Sequence, residues 1–288
     1  MSNEFKIAVV GASGAVGEVM LSILAEHGFA AENVVALASE RSAGKPVDFG
    51  RHSLTVDDLD GFDFSGVKYA LFSAGGSVSE KYAPLAAEAG AIVIDNTSAF
   101  RYIDDIPLVV PEVNPHRLEG VGPGAIIANP NCSTIQMLVA LAPIHRAAGI
   151  DRINVATYQS VSGAGATALR ELVEQTVDRL NFREPTLNKF VQPIAFNVLP
   201  QIDTMQDNGY TREEMKMVWE TQKIFEDPEI RVNATAVRVP VLYGHSEAVH
   251  LETREDIGIE EIRQLLREAP GIEVVDSVDL KHPTAVTH

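Results

Sequence analysis

Gly11-Ala12-Ser13-Gly14-Ala15-Val16-Gly17 directly follows the apolar run Ile7 to Val10 and opens a helical pattern from Val16 to Ala25. A strand that turns through glycines into a helix aims backbone N–H groups and the positive helix end at one spot, where a dinucleotide pyrophosphate fits. The glycines are spaced GxxGxxG, which also serves a plain tight turn between strand and helix. Neighbouring segments repeat the strand–helix alternation. Val34 to Ala38, Tyr69 to Ser73 and Ile92 to Asp95 are β-rich runs whose continuous hydrophobicity suits strands buried on both faces. Glu80 to Ala89 has helical composition, and Gly28 and Gly90 are stop signals. This order predicts an α/β fold: a Rossmann-type parallel-sheet domain over residues 1–130, with right-handed crossovers.

From Asn131 the texture changes. A helix is expected from Thr134 to about His145, a strand at Ile153 to Gln159, and a helix with Leu169, Leu172, Val173, Val177 and Leu180 on one face. Strands at Ala234 to Val239 and Glu247 to Glu252 and a helix at Glu260 to Arg267 follow, with Asp203 to Arg212 a polar, exposed connection. Residues 131–288 therefore form a second, α+β domain.

The whole chain has 288 residues, 45% of them apolar, and 23 Lys plus Arg against 40 Asp plus Glu, for a net charge of −17. That balance argues against nucleic acid or an anionic membrane as partner. The single cysteine, Cys132, excludes an intrachain disulfide framework and a Cys-rich zinc site, and no metal site is expected. No apolar stretch reaches the ~20 residues that cross a bilayer, and the start of the chain has no signal-peptide pattern, so the expected location is cytoplasmic.

Several residues bear on chemistry. Where NAD sites usually place an acid after the second strand, Ser39-Glu40-Arg41-Ser42-Ala43-Gly44-Lys45 offers Arg41 and Ser42, which favour the 2′-phosphate of NADP. Glu40 is the countersignal, and an exposed basic loop is the plain alternative. Ser73-Ala74-Gly75-Gly76-Ser77 either lines the same cleft or merely starts a helix. Asn129-Pro130-Asn131-Cys132-Ser133-Thr134 delivers Cys132 to a helix start, whose N–H groups stabilise a nucleophilic thiolate; a lone cysteine is otherwise a small buried hydrophobe. His245, beside Gly244 and between two strand-like runs, is the candidate proton acceptor, or else a solvated turn residue. Arg101 and Lys216 are candidate anion holders, although Glu213, Lys216 and Glu220 have the spacing of a solvated charge ladder.

Taken in order, GASGAVG at 11 to 17, SERSAGK at 39 to 45, NTSAFR at 96 to 101, NPNCST at 129 to 134, YQSVSGAG at 158 to 165, EEMK at 213 to 216 and RVPVLYGHSE at 238 to 247 resemble the aspartate-semialdehyde dehydrogenase family. This family lies within the wider glyceraldehyde-phosphate dehydrogenase superfamily. The resemblance implies NADPH-dependent reductive dephosphorylation of aspartyl 4-phosphate to aspartate 4-semialdehyde and phosphate through a thioacyl enzyme. It implies Cys132 as nucleophile and His245 as acid and base. Gln159, Arg238 and Glu213 would bind substrate, with Arg238 on the carboxylate and Glu213 on the amino group, while Arg101 and Lys216 hold phosphate. For the cofactor it implies the phosphate turn Gly11, Ser13, Gly14, Ala15, Val16 and Gly17, the 2′-phosphate residues Arg41 and Ser42, and Ser162 and Gly163 near the nicotinamide. A homodimer formed through the second domain is also implied, as is a place in lysine, threonine and methionine biosynthesis.

Family members usually continue for several dozen residues beyond the point corresponding to Val286-Thr287-His288, and that continuation supplies a helix returning to the nucleotide domain. Its absence would leave apolar surface exposed, and two other functions stay open: a noncatalytic nucleotide-binding subunit, and an N-acetyl-glutamyl-phosphate reductase.

Overall fold

A computed structural model describes residues 5–275 and 284. The chain divides into two compact units, Met1–Val109 with Pro115–Pro130, and Val110–Asn114 with Asn131–His288. The segment Val110–Asn114 belongs with the second unit because Arg146 donates to the carbonyls of Glu112 and Val113, at 2.9 and 2.8 Å.

The first unit runs β1 (Lys6–Val10), α1 (Ala15–Glu26), β2 (Val34–Ala38), β3 (Pro46–Phe49), β4 (His52–Asp58), β5 (Val67–Phe72), α2 (Gly76–Glu88), β6 (Ile92–Asp95) and β7 (Ile126–Ala128). These strands form one seven-stranded sheet in the order β3-β4-β2-β1-β5-β6-β7, parallel except for the antiparallel pair β3–β4. At the centre, Val10 pairs with Leu37 on one side and Phe72 on the other, so the chain direction reverses about β1. Ligands of open α/β sheets bind at such a switch point, beyond the carboxyl ends of the strands. Ile7 to Val10 are buried, as a two-faced strand requires.

The hairpin β3–β4 has no counterpart in the sequence expectations. Its strand β3 is short, with Pro46 at its start, yet Val47 and Phe49 reach the core beside Leu21 and Leu24. Helix α2 begins at Gly76, one turn before the expected Glu80.

The second unit contains α3 (Cys132–Ala148), β8 (Ile150–Gln159), α4 (Ala166–Leu180), α5 (Arg212–Phe225), β9 (Arg231–Arg238), β10 (Ser246–Thr253) and α6 (Ile259–Glu268). Its sheet has the order β10-β8-β9, with β8 parallel to β9 and antiparallel to β10. The register sets Gln159 opposite Arg238 and Tyr158 opposite Ser246, which brings the end of β8, the end of β9 and the start of β10 together.

Helix α3 starts at Cys132, earlier than the expected Thr134, because the Asn131 side chain accepts from the Ser133 and Thr134 amides. Helix α4 does not bury the single face expected of it. Leu172 is buried with Ala168, whereas Val173, Val177 and Leu180 are exposed, since Glu171 and Gln175 take the inward positions and hold the backbone amides of Lys189 and Ile194. Asp203 to Arg212 is not simply a solvated connection. Thr211 is buried as the N-cap of α5, in a reciprocal capping box with Glu214, and Asp203 forms an ion pair with Lys216. The expectation for the chain end Val286-Thr287-His288 falls outside the described residues.

Candidate active site

In the first unit, a cleft of about 530 Å³ opens at the switch point. Gly11, Ser13, Gly14, Arg41, Ser42, Ser73 and Ala74 are among its lining residues. Gly14 caps α1 without any side-chain hydrogen bond, so the first amides of the helix are not taken up by a capping side chain. Ala15, Val16 and Gly17 are absent from the lining and form the first turn of α1 instead. Gly17 has a packing reason: a Cβ there would stand 2.1 Å from the Gly11 carbonyl oxygen. The Ser13 hydroxyl donates to Ser42 at 3.2 Å, joining the glycine turn to the short 3₁₀ turn Glu40–Ser42. Arg41 makes no ion pair among the described residues, and Glu40 lines the same cleft. A helix start without a side-chain cap, beside a hydroxyl pair and an arginine, matches the donors that a phosphorylated dinucleotide needs. Ser73 and Ala74 line the cleft while Gly75 and Gly76 start α2, so both readings of that turn hold. Arg101, also in the first unit, is buried and donates to the Asn96 carbonyl at 3.1 Å.

The second unit assembles the reacting groups. Cys132 is exposed as the first residue of α3, and its Sγ lies 3.3 Å from His245 Nε2. The opposite edge of the ring faces Ser160, whose amide nitrogen lies 3.0 Å and whose hydroxyl lies 3.1 Å from Nδ1; in the tautomer that leaves Nε2 open to the thiol proton, Nδ1 carries the hydrogen and the Ser160 hydroxyl accepts it. Burial depresses the imidazole pKa and the Arg238 guanidinium adds to it, so the ring is neutral at neutral pH. A neutral imidazole in contact with sulfur at a helix N-terminus is the arrangement that activates a thiol.

Around this pair, Gln159 and Arg238 are both buried. Gln159 donates to the Ser133 hydroxyl and, at 3.0 Å, to Glu213 Oε1, while its own Oε1 has no hydrogen-bond partner among the described residues. Arg238 donates to the Ser160 carbonyl at 2.7 Å and makes no ion pair among the described residues. A buried guanidinium that no carboxylate bonds is costly unless an anion arrives. Gly163 lies against it, for a Cβ there would be 3.2 Å from Arg238 Nη1 and 3.6 Å from His245 Nε2. Ser162, in the same 3₁₀ turn Val161–Ala164, is 2.9 Å from the Ser160 hydroxyl.

Lys216 does not belong to a solvated ladder. Its ammonium pairs with Glu213 at 2.9 Å and Asp203 at 2.8 Å and is largely screened from solvent. Burial alone would raise the Glu213 carboxyl, but Lys216 and the donors Gln159 and Asn131 outweigh it and hold it below the ordinary range. Burial likewise disfavours the charged lysine, and the two carboxylates outweigh that and raise it. Glu220, the third member of the expected ladder, is fully buried, and its Oε2 accepts from the Asn131 amide at 2.6 Å.

Sequence reasoning missed Asn131, Ser160, Asp203 and Glu220. The Asn-Cys-Ser-Thr order carries an N-cap signal that marks Asn131. The others act across more than ten residues of separation, or through backbone atoms, and have no local signal. Glu247 was missed as well. Burial raises its carboxyl to about 7, against a hydrogen bond from Gln136 that pulls the other way. Because its folded value lies above the ordinary 4.5, its contribution to stability is present below that value and lost as pH rises through about 7. Glu247→Gln is expected to remove this loss. Between pH 5 and pH 8 the wild type should lose about 2 kcal/mol relative to the variant, after allowance for partial exposure, as read from urea midpoints.

Comparison with known proteins adds to this geometry. A family model described as "Semialdehyde dehydrogenase, NAD binding domain" matches residues 6–121, and one described as "Semialdehyde dehydrogenase, dimerisation domain" matches residues 141–288. The chain is 58% identical over 286 residues to aspartate-semialdehyde dehydrogenase 2 of Vibrio cholerae serotype O1, covering 99% of this chain and 84% of that protein. It is 51% identical over 284 residues to aspartate-semialdehyde dehydrogenase of Bacillus subtilis, covering 96% and 82%. Among solved structures, aspartate semialdehyde dehydrogenase II from Vibrio cholerae complexed with ASA matches with a TM-score of 0.93 at 57% identity, covering 98% of this chain and 84% of that one. The Candida albicans enzyme with NADP matches with a TM-score of 0.69 at 26% identity, covering 92% and 76%. These relatives favour neither an N-acetyl-glutamyl-phosphate reductase nor a noncatalytic subunit.

Proposed function

The chain belongs to the aspartate-semialdehyde dehydrogenase family, whose reaction is an NADP-dependent, phosphorylating oxidoreduction, and from that membership we propose how its own residues carry the chemistry. The observation that carries the reading is Cys132 Sγ at 3.3 Å from His245 Nε2, at the start of α3.

In the direction of semialdehyde formation, the Cys132 thiolate attacks the acyl carbon of aspartyl 4-phosphate. The carbon–oxygen bond to phosphate breaks, and a thioester remains on Cys132. When bound, NADPH supplies the hydride that reduces the thioester carbon. His245 holds the thiol proton at Nε2 and returns it as the carbon–sulfur bond breaks, releasing aspartate 4-semialdehyde. In reverse, His245 takes the proton of the thiol as sulfur adds to the aldehyde.

Substrate is held by buried polar groups. Arg238 receives the substrate carboxylate in its planar fork, which its burial without an ion pair favours. Glu213 receives the amino group, and the unpartnered Gln159 Oε1 accepts a further donor from substrate. Membership of the family assigns Arg101 and Lys216, each in its own unit, to phosphate. For the cofactor, Gly11, Ser13 and Gly14 with the α1 amides take the pyrophosphate, Arg41 and Ser42 the 2′-phosphate, and Ser162 and Gly163 the nicotinamide half.

The assembly is a homodimer formed through the second unit. Its support is the family's dimerisation domain over residues 141–288 and a set of exposed apolar side chains there: Val173, Val177, Leu180, Phe182, Val191 and Phe196. The working location is the cytoplasm; no helix among the described residues is long and apolar enough to cross a membrane.

The test is reduction of NADP by the purified 288-residue chain with aspartate 4-semialdehyde, with and without inorganic phosphate. Phosphate-dependent turnover is the expected result. Turnover with the N-acetyl-glutamyl substrate in preference, or NADP binding without turnover, would reject it.

A further inference from the structure

The nucleophile sits on a turn that another helix grips from below. Helix α5 presents Glu213 and Glu220, two turns apart and so on one face, and both close on Asn131. Glu220 Oε2 accepts from the Asn131 backbone amide at 2.6 Å, and Glu213 Oε1 accepts from Asn131 Nδ2 at 2.9 Å. The remaining polar atoms of Asn131 serve α3: Oδ1 accepts from Ser133 and Thr134 amides at 3.0 and 3.3 Å, and its carbonyl from the Ile135 amide at 2.9 Å. Helix α5 is itself fixed at its start by the Thr211–Glu214 capping box, and Glu214 Oε1 accepts from the Ala236 amide of β9 at 3.0 Å.

We propose that Glu220 is a positioning residue of this reaction: its buried carboxylate holds the Asn131 amide, and with Glu213 it sets the turn that presents Cys132 as the first residue of α3. In this role Glu220 acts through Asn131. The neighbouring turn position is what a nucleophile needs held to a fraction of an ångström, and a buried amide left without an acceptor would move to find one. Bonded to the amide of the residue before Cys132, the same carboxylate sets a negative charge one residue from the thiol, so it also opposes thiolate formation.

The inference rests on the reaction proposed above, but its test includes a readout that needs no turnover. Glu220→Gln keeps an oxygen for the Asn131 amide and removes the charge; Glu220→Ala removes both. The Ala variant should lose about 100-fold in kcat, with KM for the semialdehyde changed by less than about threefold, as for a misplaced reacting group. The Gln variant should restore kcat to within about threefold of wild type, because the hydrogen bond survives. In parallel, the rate of Cys132 alkylation by iodoacetamide is followed against pH. The Gln variant should show its midpoint at lower pH than wild type, and the Ala variant a lower plateau rate. Wild-type kcat and an unchanged alkylation profile in a folded Ala variant would overturn the proposal. A Gln variant as impaired as Ala with an unmoved midpoint, or one that does not fold, would also overturn it, since either result makes Glu220 a residue of the core alone. A wild-type chain that alkylates normally but shows no turnover would instead reject the reaction and leave the positioning role measurable.

Discussion

Cys132→Ser is expected to lower phosphate-dependent reduction of NADP by at least about 10⁴-fold in kcat, the scale on which loss of a covalent nucleophile is felt. The substitution changes one atom and keeps the helix start, because Asn131 caps α3 through backbone amides that do not involve the side chain at 132. What it removes is an ionisable group. A thiol at a helix N-terminus, 3.3 Å from an imidazole, can pass its proton to that ring, whereas a serine hydroxyl in the same place is a far weaker acid. The first-unit cleft assigned to the NADP phosphates has no lining from Cys132, so cofactor affinity should be unchanged by calorimetry. Retention of more than a tenth of wild-type turnover would show that sulfur is not the nucleophile.

His245→Ala follows as the second large effect, with about a 10³-fold loss in kcat expected for removal of a positioned acid and base. Its signature lies in the pH profile. Burial and Arg238 hold the His245 pKa below its ordinary value, so the ring stays neutral further into acid than a free histidine. In wild type the acid limb of kcat/KM should therefore fall below the ordinary histidine pKa of about 6.5. The variant should lack that limb, and added imidazole should restore part of the rate. An acid limb that persists unchanged in the variant would assign it to another group, with Glu247, raised to about 7, the first to test.

Both predictions concern residues that the sequence marks, and the reasons differ. Cys132 is singular in the chain and lies between Pro-Asn and Ser-Thr, so its helix-start position is a local property of the sequence. The glycine turn is local in the same way: only glycine at 17 lets α1 approach the Gly11 carbonyl. The order of these motifs with NTSAFR, EEMK and the His245 segment names the family before any coordinate is seen. The alternation of apolar runs and helical patterns likewise implies the parallel sheet, because a strand buried on both faces needs continuous hydrophobicity.

Other properties follow only from tertiary structure, and for one physical reason: they are contacts between segments far apart in the chain. Sequence spacing reads Glu213, Lys216 and Glu220 as a solvated ladder, since helical periodicity reports neighbours on one helix and not what that helix packs against. Folding turns Glu220 onto Asn131 and Lys216 onto Asp203. The His245 ring is held at Nδ1 by Ser160, eighty-five residues away in the chain, a contact with no local signal. Burial of Arg238 without an ion pair among the described residues, and of Glu247 beside Gln136, depends on which strand pairs with which. Residue types and motif order thus determine the family and the chemistry on their own, while desolvation and long-range hydrogen bonding, set by packing, decide how each group is charged and where it is held.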